Sequence, residues 1–224
     1  MAEAIKTRAL IFDAFGTLFD VRSIEAACES LFPGKSIELS RVWRSKQLEY
    51  SWLRSLMGRY ADFESITADA LRYSCRSMGL SLSDSNATAL VPQFRRLAPF
   101  AEVPVALRAL SGYKRAVLTN GSPAMIDALV ANAGLSDQFD ALISVDELRI
   151  FKPSQVVYEL ATRKLGVVAS EVGFVSSNFW DIAGATAFGF RTFWVNRAGA
   201  MEDELGLHPH RVISGLDQLA QALK

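Results

Sequence analysis

Four short polar segments, each following an apolar run, carry the groups in this chain that can do chemistry. The first, Asp13-Ala14-Phe15-Gly16-Thr17-Leu18, puts a carboxylate after Ala9-Leu10-Ile11-Phe12, then a glycine and a hydroxyl. An acid held at such an end, with a glycine that lets backbone amides turn inward, suits a nucleophile for a negatively charged substrate. An Asp that merely starts a turn with Gly gives the same local pattern. In the second, Thr119-Asn120-Gly121-Ser122-Pro123, a hydroxyl and an amide lead into a helix that Pro123 can open. Thr119, Asn120 and the neighbouring amides can clamp a carboxylate or phosphate there, and a capped turn without a ligand is the alternative. The third, Ile150-Phe151-Lys152-Pro153, sets one lysine before a proline expected to open a helix. Facing solvent, Lys152 is a surface charge; facing inward, it lies among the strand ends and keeps Asp13 ionised. The fourth, Ser176-Ser177-Asn178-Phe179-Trp180-Asp181, gathers hydroxyls, an amide and an acid more densely than a capped helix start requires.

Imidazole and thiol chemistry have little to work with. The two histidines, His208 and His210, flank Pro209 in a late segment and leave no base for a Ser–His or Cys–His catalyst unless that loop folds back over the site. No carboxylate or cysteine cluster sits beside them at metal-ligand spacing, so no metal site is expected. Cys28 and Cys75 are lone residues in helix-like surroundings, expected to be reduced and half-buried. The chemistry falls to carboxylates, lysine and arginine.

The elements that must position these groups follow from periodicity. The run before Asp13 reads as a buried strand, and further strand-length runs lie at 115–119, 141–145, 172–175, 192–195 and 211–213. Between them the pattern is helical, the alternation of βαβ units on a parallel sheet. From 22 to 97 there is no convincing strand, only helical periodicity over 38–57, 64–78 and 83–97. The expected architecture is a doubly wound, Rossmann-like α/β core, residues 1–20 and 99–224, with a helical cap, residues 21–98, inserted after the first strand. Right-handed crossovers put every strand's C-terminal end on one edge of such a sheet, so all four polar segments converge there.

Composition narrows the partners. The 224 residues carry 24 Lys plus Arg against 24 Asp plus Glu, and half are hydrophobic. Neutrality leaves no global attraction to nucleic acid or a membrane surface. No run is long enough for a bilayer span, and residues 1–8 lack the apolar region of a signal peptide, so a cytoplasmic location is expected.

Taken together, the four segments resemble the motifs of the haloacid dehalogenase superfamily, which occur in this order on this fold. Most of its members are phosphatases, and two departures oppose that activity. Phe15 stands where phosphatases carry a second Asp that transfers a proton, and Ser176-Ser177-Asn178 replaces their Gly-Asp magnesium ligand. The remaining pattern looks like the cofactor-free L-2-haloacid dehalogenase branch, and Val42-Trp43-Arg44 with Gln47-Leu48-Glu49-Tyr50-Ser51-Trp52-Leu53-Arg54 is similar to that family's first long cap helix.

The resemblance implies roles. Asp13 attacks the carbon bearing the halogen and forms an ester, Arg44 takes the halide, and Phe15 and Trp180 line the halide pocket. Ala14, Phe15, Arg44, Thr119, Asn120, Tyr158 and Trp180 contact the substrate, with Thr119 and Asn120 on its carboxylate. Asp181 activates a water that opens the ester, Thr17, Ser176 and Asn178 position the participants, Lys152 pairs with both acids, and Tyr158 supports Lys152. No cofactor and no metal is implied, and a homodimer through the cap helices is. Thr119, Phe15, Ser45 and Phe179 replace the Ser, Tyr, Gln and Ala common in that family, which implies shifted size or halogen preference. A phosphomonoester hydrolase on the same fold and a non-catalytic member acting by protein contacts stay open as alternatives.

Overall fold

The computed structural model describes residues 7–224; residues 1–6, the start of the expected core segment, lie outside the described residues. Among the described residues six strands form one sheet: β1 (Ala9–Phe12), β2 (Lys114–Thr119), β3 (Ala141–Ser144), β4 (Val172–Ser176), β5 (Arg191–Val195) and β6 (Arg211–Ile213). All neighbours pair in parallel, in the order β3-β2-β1-β4-β5-β6. β1 and β4 are buried along their whole length, as unbroken apolar strands covered on both faces must be. The chain builds outward from β1 to β3, then crosses back over β1 to start β4. This reversal opens a crevice at the C-terminal ends of β1 and β4, where Asp13 and Ser176 leave the sheet.

Between β1 and β2 the chain is helical: α1 (Glu25–Leu31), α2 (Ser36–Leu56), α3 (Phe63–Ser77) and α4 (Asp84–Leu90). Asp62 and Ser83 cap α3 and α4 by accepting from the amides of Ser65 and Asn86. The indole N–H of Trp43 on α2 donates to the Thr67 carbonyl of α3 at 2.8 Å, and both residues are fully buried. One continuous helix over 83–97 does not form. The α-helix stops at Leu90 and tightens into a 3₁₀ turn, Val91–Arg95, because Pro92 supplies no amide hydrogen. Cys28 and Cys75 are completely buried rather than half-buried, and burial pushes the Cys28 thiol up to about 11, so it stays protonated. Two short links join these helices to the sheet: the Asp20 amide donates to the Ala98 carbonyl at 2.8 Å and the Phe100 amide to the Leu18 carbonyl at 3.0 Å.

The remaining helices are α5 (Val103–Ala109), α6 (Pro123–Asn132), α7 (Gln155–Leu165), α8 (Phe179–Phe188) and α9 (Leu219–Ala222). Pro123 opens α6, capped by Ser122, as the sequence predicts. Pro153 does not open α7, which begins two residues later after Ser154. Pro153 is instead packed against α8, where a Cβ on Gly184 would lie 2.6 Å from its own. No helix among the described residues is long and apolar enough to cross a membrane.

The α7–α8 contact closes only because Gly184 has no side chain: an added Cβ would also stand 2.5 Å from the Tyr158 hydroxyl. Overpacking of this kind costs about 1–3 kcal/mol. Gly184→Ala is therefore expected to lower the melting temperature by roughly 3–10 °C, read by circular dichroism.

Candidate active site

Asp13 is the first residue beyond β1, its amide donating to the Val175 carbonyl at 2.9 Å, and it is 4% exposed. Its two carboxylate oxygens have different surroundings. Oδ1 accepts from Lys152 Nζ at 2.9 Å. Oδ2 accepts from Asn178 Nδ2 at 2.8 Å, Thr17 Oγ1 at 2.9 Å and, more weakly, Ser176 Oγ at 3.4 Å. Lys152 also donates to Asp181 Oδ2 at 2.7 Å, so one ammonium bridges two acids.

Lys152 is thus the inward-facing cation, with its side chain entirely buried. Burial by itself lowers a lysine's pKa, but the two carboxylates outweigh it and hold Lys152 above its ordinary value. Asp181, equally buried, is pushed up to about 6: burial raises it, Lys152 pulls it down, and Asp13 raises it again. The Tyr158 hydroxyl donates to Asp181 Oδ1 at 2.8 Å and is itself fully buried. It therefore supports Asp181 directly rather than Lys152. Burial and the Asp181 charge keep this phenol far above its usual pKa, a permanent donor.

The loop after Asp13 is braced from two sides. Gly16 takes a φ of +89°, open to glycine, and a Cβ there would sit 3.3 Å from Ser177 Oγ. Ser177 donates its hydroxyl to the Gly16 carbonyl at 2.7 Å and its amide to Thr17 Oγ1 at 2.8 Å. Thr17 Oγ1 has two acceptors for its own hydrogen, Asp13 Oδ2 at 2.9 Å and the more distant Ser177 Oγ at 3.2 Å, and the shorter contact is the one to Asp13. Arg197, just past β5, donates to the carbonyls of Gly16 at 3.3 Å and Thr17 at 3.0 Å. It is held by Glu102 at 2.7 Å and lies over the Phe100 ring at 3.7 Å, so it ties the nucleophile loop to the link between cap and core.

The second polar segment faces the same crevice. Asn120 Oδ1 accepts from the Lys152 amide at 3.0 Å, and Thr119 Oγ1 accepts from the Gly121 amide at 3.0 Å. The amides of Ala14, Phe15 and Asn120, all in residues at most 6% exposed, have no acceptor among the described residues. Buried amides are nearly always paired, so this set is suited to an anionic ligand. From the cap side, Arg44 Nη2 donates to the Phe15 carbonyl at 3.4 Å. Burial draws its guanidinium down to about 10 while Asp13 opposes the shift, and it remains a cation at neutrality. The Phe15 ring lies 5.6 Å from Phe63 and 6.2 Å from Phe94. Trp180 meets Trp52 of α2 edge-on at 5.4 Å, whereas Phe179 turns away to pack on Trp194 at 5.1 Å, and Ser45 is exposed.

The structure therefore gathers Asp13, Thr17, Lys152, Ser176, Asn178 and Asp181 into one bonded network, with Ala14, Phe15, Thr119 and Asn120 beside it. Arg44 borders it from the cap, and Trp180, in the first turn of α8, meets the cap at Trp52. Sequence reasoning missed Ser177 as a loop brace, Arg197 and Gln47. Arg197 left one signal, a cation directly after a buried strand. Magnesium, which related folds use, does not suit these residues. Asp13 Oδ2 and the Phe15 carbonyl both accept from Asn178 Nδ2, at 2.8 and 3.1 Å, while Lys152 already occupies the space between the two acids. No group of three or more metal-ligating side chains occurs among the described residues.

Comparison with known proteins agrees with this geometry. A model of haloacid dehalogenase-like hydrolases matches residues 7–189. An (S)-2-haloacid dehalogenase of Pseudomonas sp. (strain YL) is 50% identical over 211 residues, covering 93% of this chain and 91% of that one. Haloacetate dehalogenase H-2 of Moraxella sp. (strain B) is 45% identical over 220 residues, covering 97% and 98%. The solved L-2-haloacid dehalogenase of Xanthobacter autotrophicus superposes with a TM-score of 0.93 at 42% identity, covering 97% and 98%. A second structure of that protein holds chloropropionic acid covalently bound. With its sheet order, its paired acids about one lysine and these likenesses over nearly its whole length, the chain belongs to the haloacid dehalogenase-like hydrolases, and within them to the L-2-haloacid dehalogenases.

Proposed function

We propose that the chain hydrolyses short-chain L-2-haloacids to D-2-hydroxy acids and halide through an ester on Asp13, without a metal. The observation that carries this reading is the buried Lys152 ammonium set between the Asp13 and Asp181 carboxylates, at 2.9 and 2.7 Å. It holds the two carboxylates side by side, one for attack and the other as a base. The substrate carboxylate is received by the free amides of Ala14, Phe15 and Asn120 with the Asn120 side-chain N–H, and Thr119 closes that end. This orients C2 toward Asp13.

In the first step Asp13 Oδ1 forms a bond to C2 as the carbon–halogen bond breaks, with inversion, and the halide leaves with the electron pair. Arg44 takes the developing anion, with the positive edges of Phe15 and Trp180 around it. In the second step water attacks the ester carbonyl carbon while Asp181 takes its proton. Negative charge then builds on Oδ2, which sits among the donors Asn178, Thr17 and Ser176 as an oxyanion would require. Collapse breaks the bond from the carbonyl carbon to the alkyl oxygen and Asp181 returns its proton to the product hydroxyl; Asp13 keeps the water oxygen, and release of the second water proton to solvent restores its carboxylate. The names of the relatives, for 2-haloacids and for haloacetate, support a carboxylic acid halogenated at C2 as the substrate.

We also assign the core to residues 1–20 and 99–224, the cap to 21–98, a cytoplasmic location and a homodimer. The dimer reading rests on the C-terminal end of α2, where Leu53, Leu56 and the adjoining Met57 are 44, 84 and 63% exposed.

Chloride release in EDTA from L-2-chloropropionate and not from the D form is the expected result. Release from neither, together with chelator-sensitive phosphate release from a phosphomonoester, overturns the reading. Asp13→Asn should abolish halide release while melting near the wild-type temperature. Because the base form of Asp181 is required and burial lifts its pKa to about 6, the turnover number should rise as pH rises through the region at or below 6 and stay flat above neutrality. A rate that still climbs above pH 8 contradicts Asp181 as the base. Light scattering should give a dimer for the wild type and a monomer for Leu56→Glu.

A further inference from the structure

Gln47 is fully buried in the cap interior of α2, where a leucine would pack as well and carry no polar atoms. A buried amide group left without a partner is costly, so its partners are informative. Its Oε1 accepts from Arg44 Nη1 at 2.7 Å, and its Nε2 donates to Thr67 Oγ1 at 2.6 Å. Thr67, also fully buried, directs its one hydroxyl hydrogen to the Phe63 carbonyl at 2.6 Å. With that hydrogen used, Thr67 can only accept from Gln47. The amide is therefore forced to turn its oxygen, not its nitrogen, toward Arg44.

We propose that Gln47, oriented by Thr67, is a positioning residue that aims the Arg44 guanidinium at the leaving halide while leaving its charge uncompensated. The inference rests on the dehalogenase reading above and adds a residue to it. Gln47 and the Phe15 carbonyl take two of the five N–H donors of Arg44, fixing the plane of the fork and leaving the other donors for an anion. A neutral acceptor is required for this. A carboxylate at the same place would form a bidentate pair with Arg44, cancel its charge and compete directly with the halide.

The readout is leaving-group dependence, which a merely structural role would not move. Chloride is a poorer leaving group than bromide and depends more on the cation that receives it. In single-turnover halide release from L-2-chloropropionate and L-2-bromopropionate, Gln47→Glu should slow the chloro substrate by roughly 30-fold or more and the bromo substrate by about fivefold. Inhibition by added bromide should weaken in parallel. Thr67→Val, which frees the amide to flip its nitrogen toward Arg44, should shift the bromo-to-chloro ratio in the same direction, and Thr67→Ser should restore it. Equal slowing of both substrates in Gln47→Glu and Thr67→Val, or wild-type rates in both, overturns the inference while the dehalogenase reading stands. A wild-type protein inert toward both substrates overturns the two together.

Discussion

Everything in this site depends on burying one ammonium. Lys152 has no exposed side-chain surface, and an unpaired cation there would be driven neutral. Two carboxylates prevent that, and each is fixed in turn: Asp13 by its place at the end of β1, Asp181 by Tyr158 and by its place in α8. The backbone of Lys152 is held by Asn120, and its Nζ lies 5.5 Å from the face of Phe174 on β4. One positive and two negative charges leave the cluster with a surplus of one negative charge, and that surplus is what the nucleophile expends. When Asp13 becomes an ester its charge departs with the halide, Lys152 is left to Asp181 alone, and Asp181 is held more firmly in its ionised form. The electrostatics that favour attack thus become those that favour the following hydrolysis, with no group moving.

In the proposed reaction the departing charge is received by a second cation, which the fold supplies from a different unit. Lys152 comes from the core and Arg44 from α2 of the cap, so charge passes from the neighbourhood of one to that of the other as the carbon–halogen bond breaks. Beside Asp13 the buried rings of Phe15, Phe63, Phe94 and Phe151 pack on one another, and a low-dielectric wall of this kind strengthens the charge interactions near it. Cap and core must keep their registry for this to work. Arg197 serves that need, since the same guanidinium grips the Gly16–Thr17 carbonyls and stacks on Phe100 beside the link between the two units.

The sheet and its reactive edge were legible because buried parallel strands are unbroken apolar runs and their C-terminal exits collect the polar residues. Every strand lies within a residue of its expected place. The helices were less so where a single residue decides: Pro92 broke one, and Pro153 was drawn into packing against Gly184 rather than opening α7. Residues acting on backbone or through another side chain left little trace. Arg197 bonds carbonyls, which every residue has, and the link from Gln47 to Thr67 spans two helices and is visible only once they pack. Lys152 could not be placed inside or outside by spacing, because its burial depends on acids far away in the chain. Tyr158 was tied to the right site but to the wrong partner for the same reason.

Asn178 supplies Asp13 Oδ2 with a neutral donor, so that Lys152 is the one cation bonded to the nucleophile among the described residues. Its one amide nitrogen meets both Asp13 Oδ2 and the Phe15 carbonyl, at 2.8 and 3.1 Å. A divalent ion there would add two positive charges next to Lys152 and draw electron density from the attacking carboxylate. An amide satisfies the same oxygens with no net charge, so Oδ1 keeps its nucleophilicity and Oδ2 still has donors ready for the charge that appears on it in hydrolysis. The substitution suits the leaving group as well. A transferring phosphoryl group carries charge that a metal can neutralise, whereas a halide leaves from carbon on the far side, where the useful cation is Arg44.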